Sequence, residues 1–320
     1  MTTAPAPSHP ASRLEAISFK RFETDFAGFA ADLGAAFERY GFAVVSDHGI
    51  SEALIDAALD RTKAFFALPE AAKRAYLIPG GAGQRGFTPF GVETAKGETR
   101  ADLKEFWHVG RELPPGHRYG PVIPPNVWPG EVAGFRETLY GLYAGLDALG
   151  ERLLSAIARR LGLADDFFVG PTRDGDSVLR LLHYPPVSPG ASAVRAGAHE
   201  DINAITLLLG AEEAGLELLT AEGAWMPISP PAGSVVVNVG DMLQRLTNHR
   251  LPSTTHRVVN PAPDRQGIAR YSTPFFLHFA PDYLIRTLPD CVDAAHPDRY
   301  PTPITARAFL EERLAEIKLS

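Results

Sequence analysis

A single cysteine, Cys291, in 320 residues rules out an intrachain disulfide and any metal site built from several thiolates, structural zinc fingers included. That usage suits a reducing compartment. Positive charge is also in short supply: 31 Lys and Arg against 38 Asp and Glu leave a net charge of −7, so the chain as a whole offers no field to attract nucleic acid or an anionic membrane. No apolar run approaches the roughly 18 residues needed to span a bilayer. The opening MTTAPAPSHPAS has neither a basic nor an apolar targeting region. The expectation is a soluble, cytoplasmic protein whose partner is a small molecule, with no nucleic-acid or membrane partner; nothing assigns an oligomeric state.

What is present is an apolar content of 45%, enough at this length for roughly 75% of the unfolded surface to be buried. With 29 Gly and 28 Pro, the chain carries more punctuation than a helical protein tolerates, which points to many short strands and turns. Residues 1–13, rich in Ala, Pro and Ser without apolar periodicity, read as a disordered tail. Residues 14–320 read as one domain, helix-rich over 14–170. Phe22, Phe26, Phe29, Leu33 and Phe37 form one helical stripe, Ser51 can cap a second helix ending near Pro69, and Phe135 to Leu161 hold a third stripe for more than seven turns until Gly162. GFAVVSDHGI reads as a short buried strand, and 79–100 as a long Gly-rich loop. From 171 the runs SVLRLLHY, INAITLLLG, LELLT, SVVVNVG, HRVVN and YSTPFFLHF alternate with turn residues, the pattern of an antiparallel sandwich or barrel. Thr305 begins a final amphipathic helix.

His199 and Asp201 stand two apart before INAITLLLG. In an extended segment i and i+2 share a face, so an imidazole and a carboxylate converge there. A His-X-Asp pair is also what a turn-capping Asp beside a surface His looks like, and two ligands hold a metal poorly. The third ligand could be His249, His256 or His278. His256 is favoured because it opens a short strand with small and apolar neighbours, whereas His249 lies in the turn-like TNHRLPS. Two imidazoles and one carboxylate on a face leave three positions open on iron(II). Arg270 and Ser272 repeat the i, i+2 spacing, and a guanidinium beside a hydroxyl suits a carboxylate, although an internal ion pair would use the same Arg.

The ordered set HEDINAITLLL, W-x-P-I-x-P-P-x-G-S-V-V-V-N-V-G-D-x-L-Q-x-L-T-N, S-T-T-H-R-V-V-N-P and R-Y-S resembles the iron(II) and 2-oxoglutarate-dependent dioxygenases of the isopenicillin N synthase-like group. RLLHYPP, GFAVVSDHGI and DLKEFW extend the likeness over nearly the whole chain after the tail. The resemblance implies a mixed α and β fold, a distorted jelly roll (double-stranded β-helix) over 171–320 with flanking helices. It matches His199, Asp201 and His256 to the iron ligands, Arg270 and Ser272 to the pair that binds the distal carboxylate of 2-oxoglutarate, and Tyr184 to a cosubstrate contact. Leu182 stands where many members carry Asn, and His249 where Gly is common. The implied cofactors are Fe(II), 2-oxoglutarate as cosubstrate and dioxygen. The implied activity is decarboxylation of 2-oxoglutarate to succinate and carbon dioxide coupled to oxidation of a small molecule.

Two other functions compete: fragmentation of 2-oxoglutarate itself to ethylene or succinate, and a metal- or cosubstrate-binding module without turnover. On SVLRLLHY, the alternation that turns Tyr184 inward also turns Leu182 and Arg180 inward. Arg180 then pairs with an internal acid, Glu93 or Glu105, or faces the substrate pocket together with the 84–93 loop. In the second case Arg180, Phe87 and Glu93 contact a substrate that carries an anionic group. His48 and His108 read as hydrogen-bonded core residues, and Phe275, Phe276 and Phe279 as core.

Overall fold

A computed structural model of the chain describes residues 14–81, 83–92, 103–186, 195–209, 215–260 and 267–316. The expected tail, 1–13, and Glu93 lie outside these residues. The first helical stripe is divided in two, α1 (Arg21–Thr24) and α2 (Phe26–Tyr40), because Asp25 leaves the helical conformation and its carboxylate accepts the Gly28 N–H. A short acidic side chain stabilises a helix start better than a helix interior. Helix α2 buries Phe29, Leu33 and Phe37 and ends at Gly41 in the left-handed conformation. Ser51 precedes α3 (Glu52–Phe66) as expected, but its side chain makes no capping bond. A short α4 (Glu70–Arg74) follows. The long helix α5 spans Phe135–Arg160, 26 residues or about 39 Å, and buries Leu139, Leu142, Leu146, Leu149, Leu153 and Ile157. It packs on α2, α3 and the main sheet. At Gly150 it comes so near the sheet that an added Cβ would lie 2.4 Å from Leu277 Cδ1. After α6 (Val169–Thr172) the chain turns to strands.

The strands are β1 (Ala16–Ser18), β2 (Phe42–Ser46), β3 (Gly86–Thr88), β4 (Glu105–Gly110), β5 (Val178–Tyr184), β6 (Ala196–His199), β7 (Ile205–Leu209), β8 (Leu216–Leu219), β9 (Trp225–Pro227), β10 (Val235–Val239), β11 (His256–Val258), β12 (Arg270–Ser272) and β13 (Pro274–Leu277). Nine make one sheet in the order β1-β2-β10-β7-β13-β5-β4-β3, with β12 beside the end of β5; β6-β11-β8-β9 make the second. Apart from the parallel β1–β2 pair, neighbours run antiparallel. Three strands of the amino-terminal half were not expected, the first being β1. DLKEFW runs into β4, and the Gly-rich 79–100 stretch holds β3, so four strands from the amino-terminal half complete the main sheet. Both faces of β4 are buried, and the alternation that marks a half-exposed strand is missing from its sequence.

The main sheet has two different faces. Leu179, Leu181, Leu207, Val237, Phe275 and Leu277 pack outward against the helices, and Phe42, Val44, Leu208 and Val236 point inward. There they meet Leu216, Leu218 and Met226 of the second sheet, closing the double-stranded β-helix. On the outer face a buried cluster crosses β4 and β5: Lys73 Nζ lies 2.7 Å from Glu105 Oε2, and His183 Nδ1 2.7 Å from Glu105 Oε1. Leaving one of these charges unmatched would cost about 3–5 kcal/mol. The chain continues through α7 (Asp241–Leu246) and the paired β14 (Leu284–Ile285) and β15 (Ile304–Thr305) to α8 (Ala306–Glu316). Helix α8 starts where expected, with Thr305 Oγ1 accepting the Ala308 N–H. Among the described residues no helix is long and apolar enough to cross a membrane.

Candidate active site

His199 closes β6 and His256 opens β11, and the two are register partners across that strand pair, with ring centroids 4.4 Å apart. Asp201 follows two residues after His199, and one ligand atom from each of the three lies within 4.8 Å of the others. The Nδ1 atoms of both rings are held by backbone: His199 by the Gly197 carbonyl at 2.8 Å, His256 by the Thr254 carbonyl at 3.1 Å. Each ring therefore donates from Nδ1 and turns its Nε2 toward Asp201 Oδ1, at 3.9 Å and 3.8 Å. Asp201 Oδ2 accepts from Thr206 Oγ1 at 2.5 Å and Asn238 Nδ2 at 2.7 Å, which leaves Oδ1 as the oxygen facing the imidazoles. Burial works against the Asp201 charge, yet the two imidazoles and these two donors hold its pKa below the ordinary value. Burial and the neighbouring His256 lower the His199 pKa, keeping its lone pair available. Two imidazole nitrogens and one ionised oxygen, oriented before any metal arrives, are the donor set that would serve iron(II) in a facial site.

The cosubstrate candidates lie on the adjoining strands. In the β12–β5 pair Arg270 stands opposite Tyr184 and Ser272 opposite Leu182, all on the inner face. Arg270 is 2% exposed, and its guanidinium carbon lies 5.2 Å from the centre of the Tyr184 ring. Leu182 packs with Phe106 and Tyr184, so the position where Asn is common here presents hydrocarbon.

Arg180 also points inward. Its Nε donates to His108 Nε2 at 2.6 Å, and its guanidinium lies over the rings of Phe106 (4.4 Å) and Phe276 (5.2 Å). Phe276 is the register partner of Thr206, the residue that holds Asp201, so Arg180 belongs to the neighbourhood of the triad. Glu105 is not its partner, because that carboxylate sits on the opposite face with Lys73 and His183. Phe87 requires a correction. It is opposite Trp107 and packs edge-on to Phe65 in the helix-side core, since the register that sends Gly86 and Thr88 inward sends Phe87 outward. Phe276 departs from the expectation of core in the other direction: Phe275 and Phe279 are buried among the helices, and Phe276 faces the roll interior.

His48 is a buried ring whose Nδ1 accepts the Ile50 N–H, as expected of a core histidine. His249 takes up the left-handed turn with φ of +66° and is held there by Tyr300, whose hydroxyl lies 2.6 Å from Nε2. It lies outside the triad, as does His278. Sequence reasoning missed Thr206 and Asn238, whereas His108 is the buried, hydrogen-bonded residue expected, with Arg180 as its partner. A lone Asn within the run VVVNV was the available signal, since a buried amide needs a partner.

Comparison with known proteins agrees with this geometry. Residues 14–131 match the family model of the amino-terminal part of non-haem dioxygenases in morphine synthesis, and 175–279 that of the 2OG-Fe(II) oxygenase superfamily. A 2-oxoglutarate-Fe(II) type oxidoreductase of Emericella nidulans is 36% identical, over 84% of this chain and 78% of its own length. A proline hydroxylase of Petromyces alliaceus is also 36% identical, over 90% of this chain and 93% of its own. Among solved structures, a 2OG-Fe(II) oxygenase family protein from Caulobacter crescentus superposes with a TM-score of 0.90 at 58% identity, over 95% and 99% of the two chains. A Neurospora crassa protein crystallised with alpha-ketoglutarate and thymine gives 0.84 at 29%, over 94% and 96%. The chain belongs to the 2OG-Fe(II) oxygenase superfamily. It is an iron(II)- and 2-oxoglutarate-dependent dioxygenase of the isopenicillin N synthase-like group.

Proposed function

We propose that His199, Asp201 and His256 hold the iron, that Arg270, Ser272 and Tyr184 hold 2-oxoglutarate, and that Arg180 receives an anionic group on a small-molecule substrate. The observation that carries this reading is the pair of registers: His256 opposite His199 in one sheet, and Arg270 opposite Tyr184 on the inner face of the other. When bound, iron and 2-oxoglutarate supply oxidative decarboxylation to succinate and carbon dioxide and oxidation of a substrate C–H bond. The chain itself orients three donors, offers the Arg270 fork to the distal carboxylate, and excludes water with the apolar roll interior formed by Phe42, Val44 and Leu218. The Arg180 guanidinium has its plane set by two rings and its Nε by a neighbouring imidazole, an arrangement suited to one carboxylate in a fixed orientation. The Neurospora protein carries thymine beside its cosubstrate, which supports a substrate of similarly small size. We place the enzyme in the cytoplasm, on its single half-buried cysteine and its lack of a basic surplus.

The test is 2-oxoglutarate consumption and succinate formation with Fe(II), screened against a pool of small carboxylic acids. His256→Ala is expected to lose tight iron binding and His249→Ala to keep it. Stoichiometric iron in the His256 variant refutes the ligand assignment, and ethylene in the headspace without added substrate would identify a 2-oxoglutarate-fragmenting enzyme instead.

A further inference from the structure

A cavity of about 570 Å3 lies between α8, the glycines Gly80 and Gly81 with Gln84, and the segment 120–125. Its apolar lining includes Val122, Met242, Phe279, Leu310 and Leu314. The charges in its wall are already matched: Asp176 Oδ1 takes Arg85 Nη2 at 2.8 Å, and Arg307 Nε takes Glu311 Oε1 at 2.7 Å. Such a wall favours a neutral occupant, because an added ion would lose its hydration without finding an opposite charge.

One polar side chain in the lining has an unmet bond. His278 is 8% exposed, and its Nδ1 is 3.1 Å from the Phe276 carbonyl oxygen. A carbonyl only accepts, so Nδ1 carries the proton and Nε2 is a bare acceptor, with no partner among the described residues. Burial lowers the pKa of this imidazole, which keeps it neutral. The ring lines the cavity with one hydrogen-bond acceptor in an apolar surround. His278 lies two residues beyond Phe276, which stands opposite Thr206, the residue bonded to Asp201. On the other side, Met242 of the lining donates its N–H to the Asn203 carbonyl, two residues from Asp201. The cavity therefore lies just beyond Phe276 and beside the 201–203 segment that carries Asp201.

We propose that this cavity takes the uncharged end of the primary substrate, and that His278 Nε2 accepts a hydrogen bond from an N–H or O–H on it. The proposal deepens the dioxygenase reading and rests on it. It assigns the substrate a neutral apolar portion with one donor, distinct from the anionic group assigned to Arg180. A buried acceptor of this kind rejects an analogue that lacks the donor, since binding would then leave it desolvated and unpaired.

The probes are indole, which has one N–H and fits the volume, and benzofuran, the same frame with oxygen in place of the N–H. Binding is measured calorimetrically on the enzyme loaded with Fe(II) and 2-oxoglutarate without oxygen. The parent should bind indole about tenfold more tightly than benzofuran; His278→Leu should bind both alike, and His278→Gln, which restores an acceptor, should recover the preference. The imidazole nitrogen-15 spectrum of the parent should show a protonated Nδ1 and a bare Nε2 whose resonance moves on adding indole. Failure of indole to bind, equal binding by the parent, a preference that survives in His278→Leu, or a protonated Nε2 overturns the proposal. Iron and 2-oxoglutarate binding, titrated separately on the same proteins, report whether the dioxygenase reading has failed instead.

Discussion

Asn238 donates its side-chain amide to Asp201 Oδ2 at 2.7 Å, across 37 residues of sequence, and so decides which carboxylate oxygen faces the two histidines. Thr206 makes the second bond to the same oxygen. With both in place Asp201 would offer a bound metal one oxygen, Oδ1.

Removing either donor should weaken the metal site without unfolding it. Asn238→Ala and Thr206→Ala are each expected to lower Fe(II) affinity about 10- to 100-fold in an anaerobic titration, and Thr206→Ser to restore it. Unchanged affinity in both alanine variants would show that Asp201 is oriented by the strand alone.

Arg270 should control the cosubstrate. Lys at this position keeps the charge but loses the planar fork, so Arg270→Lys is expected to raise the 2-oxoglutarate concentration for half-maximal turnover at least about tenfold, equivalent to roughly 1.4 kcal/mol. Iron affinity should stay at the parent value. An unaltered 2-oxoglutarate dependence would remove Arg270 from the cosubstrate site.

Arg180 should act on the primary substrate and leave the cosubstrate alone. Arg180→Leu is expected to bind iron and 2-oxoglutarate normally and to lose substrate-stimulated turnover, retaining slow uncoupled decarboxylation. Its stability, read by urea unfolding, decides the alternative: a variant that unfolds makes Arg180 a structural ion-pair residue, and one with normal coupled turnover places it outside the site.

Asp241 sets a pH dependence in the metal-free protein. Burial pushes its pKa up to about 6, with Oδ1 lacking a donor among the described residues and Oδ2 3.6 Å from Arg313 Nε. A folded-state pKa above the unfolded value means the proton is bound more tightly when folded. The favourable contribution is present in full below the unfolded pKa, near 4, and is lost as pH rises through about 6. Asp241→Asn should therefore stabilise the apoprotein at pH 8 by on the order of 2 kcal/mol and by much less at pH 4, read from urea unfolding at the two values. An equal effect at both would locate the cost in packing and not in charge.

Local spacing was sufficient for several features. The stripe from Phe135 to Leu161 needs only the helical period to be read, and the i, i+2 spacing of His199 with Asp201 and of Arg270 with Ser272 needs only the strand period. The likeness of the ordered motifs added the jelly roll, the cofactors and the matched residues. Three matters were settled by the tertiary structure. His249, His256 and His278 are alike as sequence, and it is the β6–β11 register, joining residues 57 apart, that brings His256 alone to His199 and Asp201. Phe87 and Arg180 sit on strands of the same sheet, and the face each presents depends on which side the helices cover; with both faces of β4 and most of β5 buried, no alternation of polarity reports it. Thr206, Asn238 and His108 acquire their partners only through strand pairing. Periodicity is a property of neighbours in the chain, whereas register and facing are set by packing between segments far apart in it.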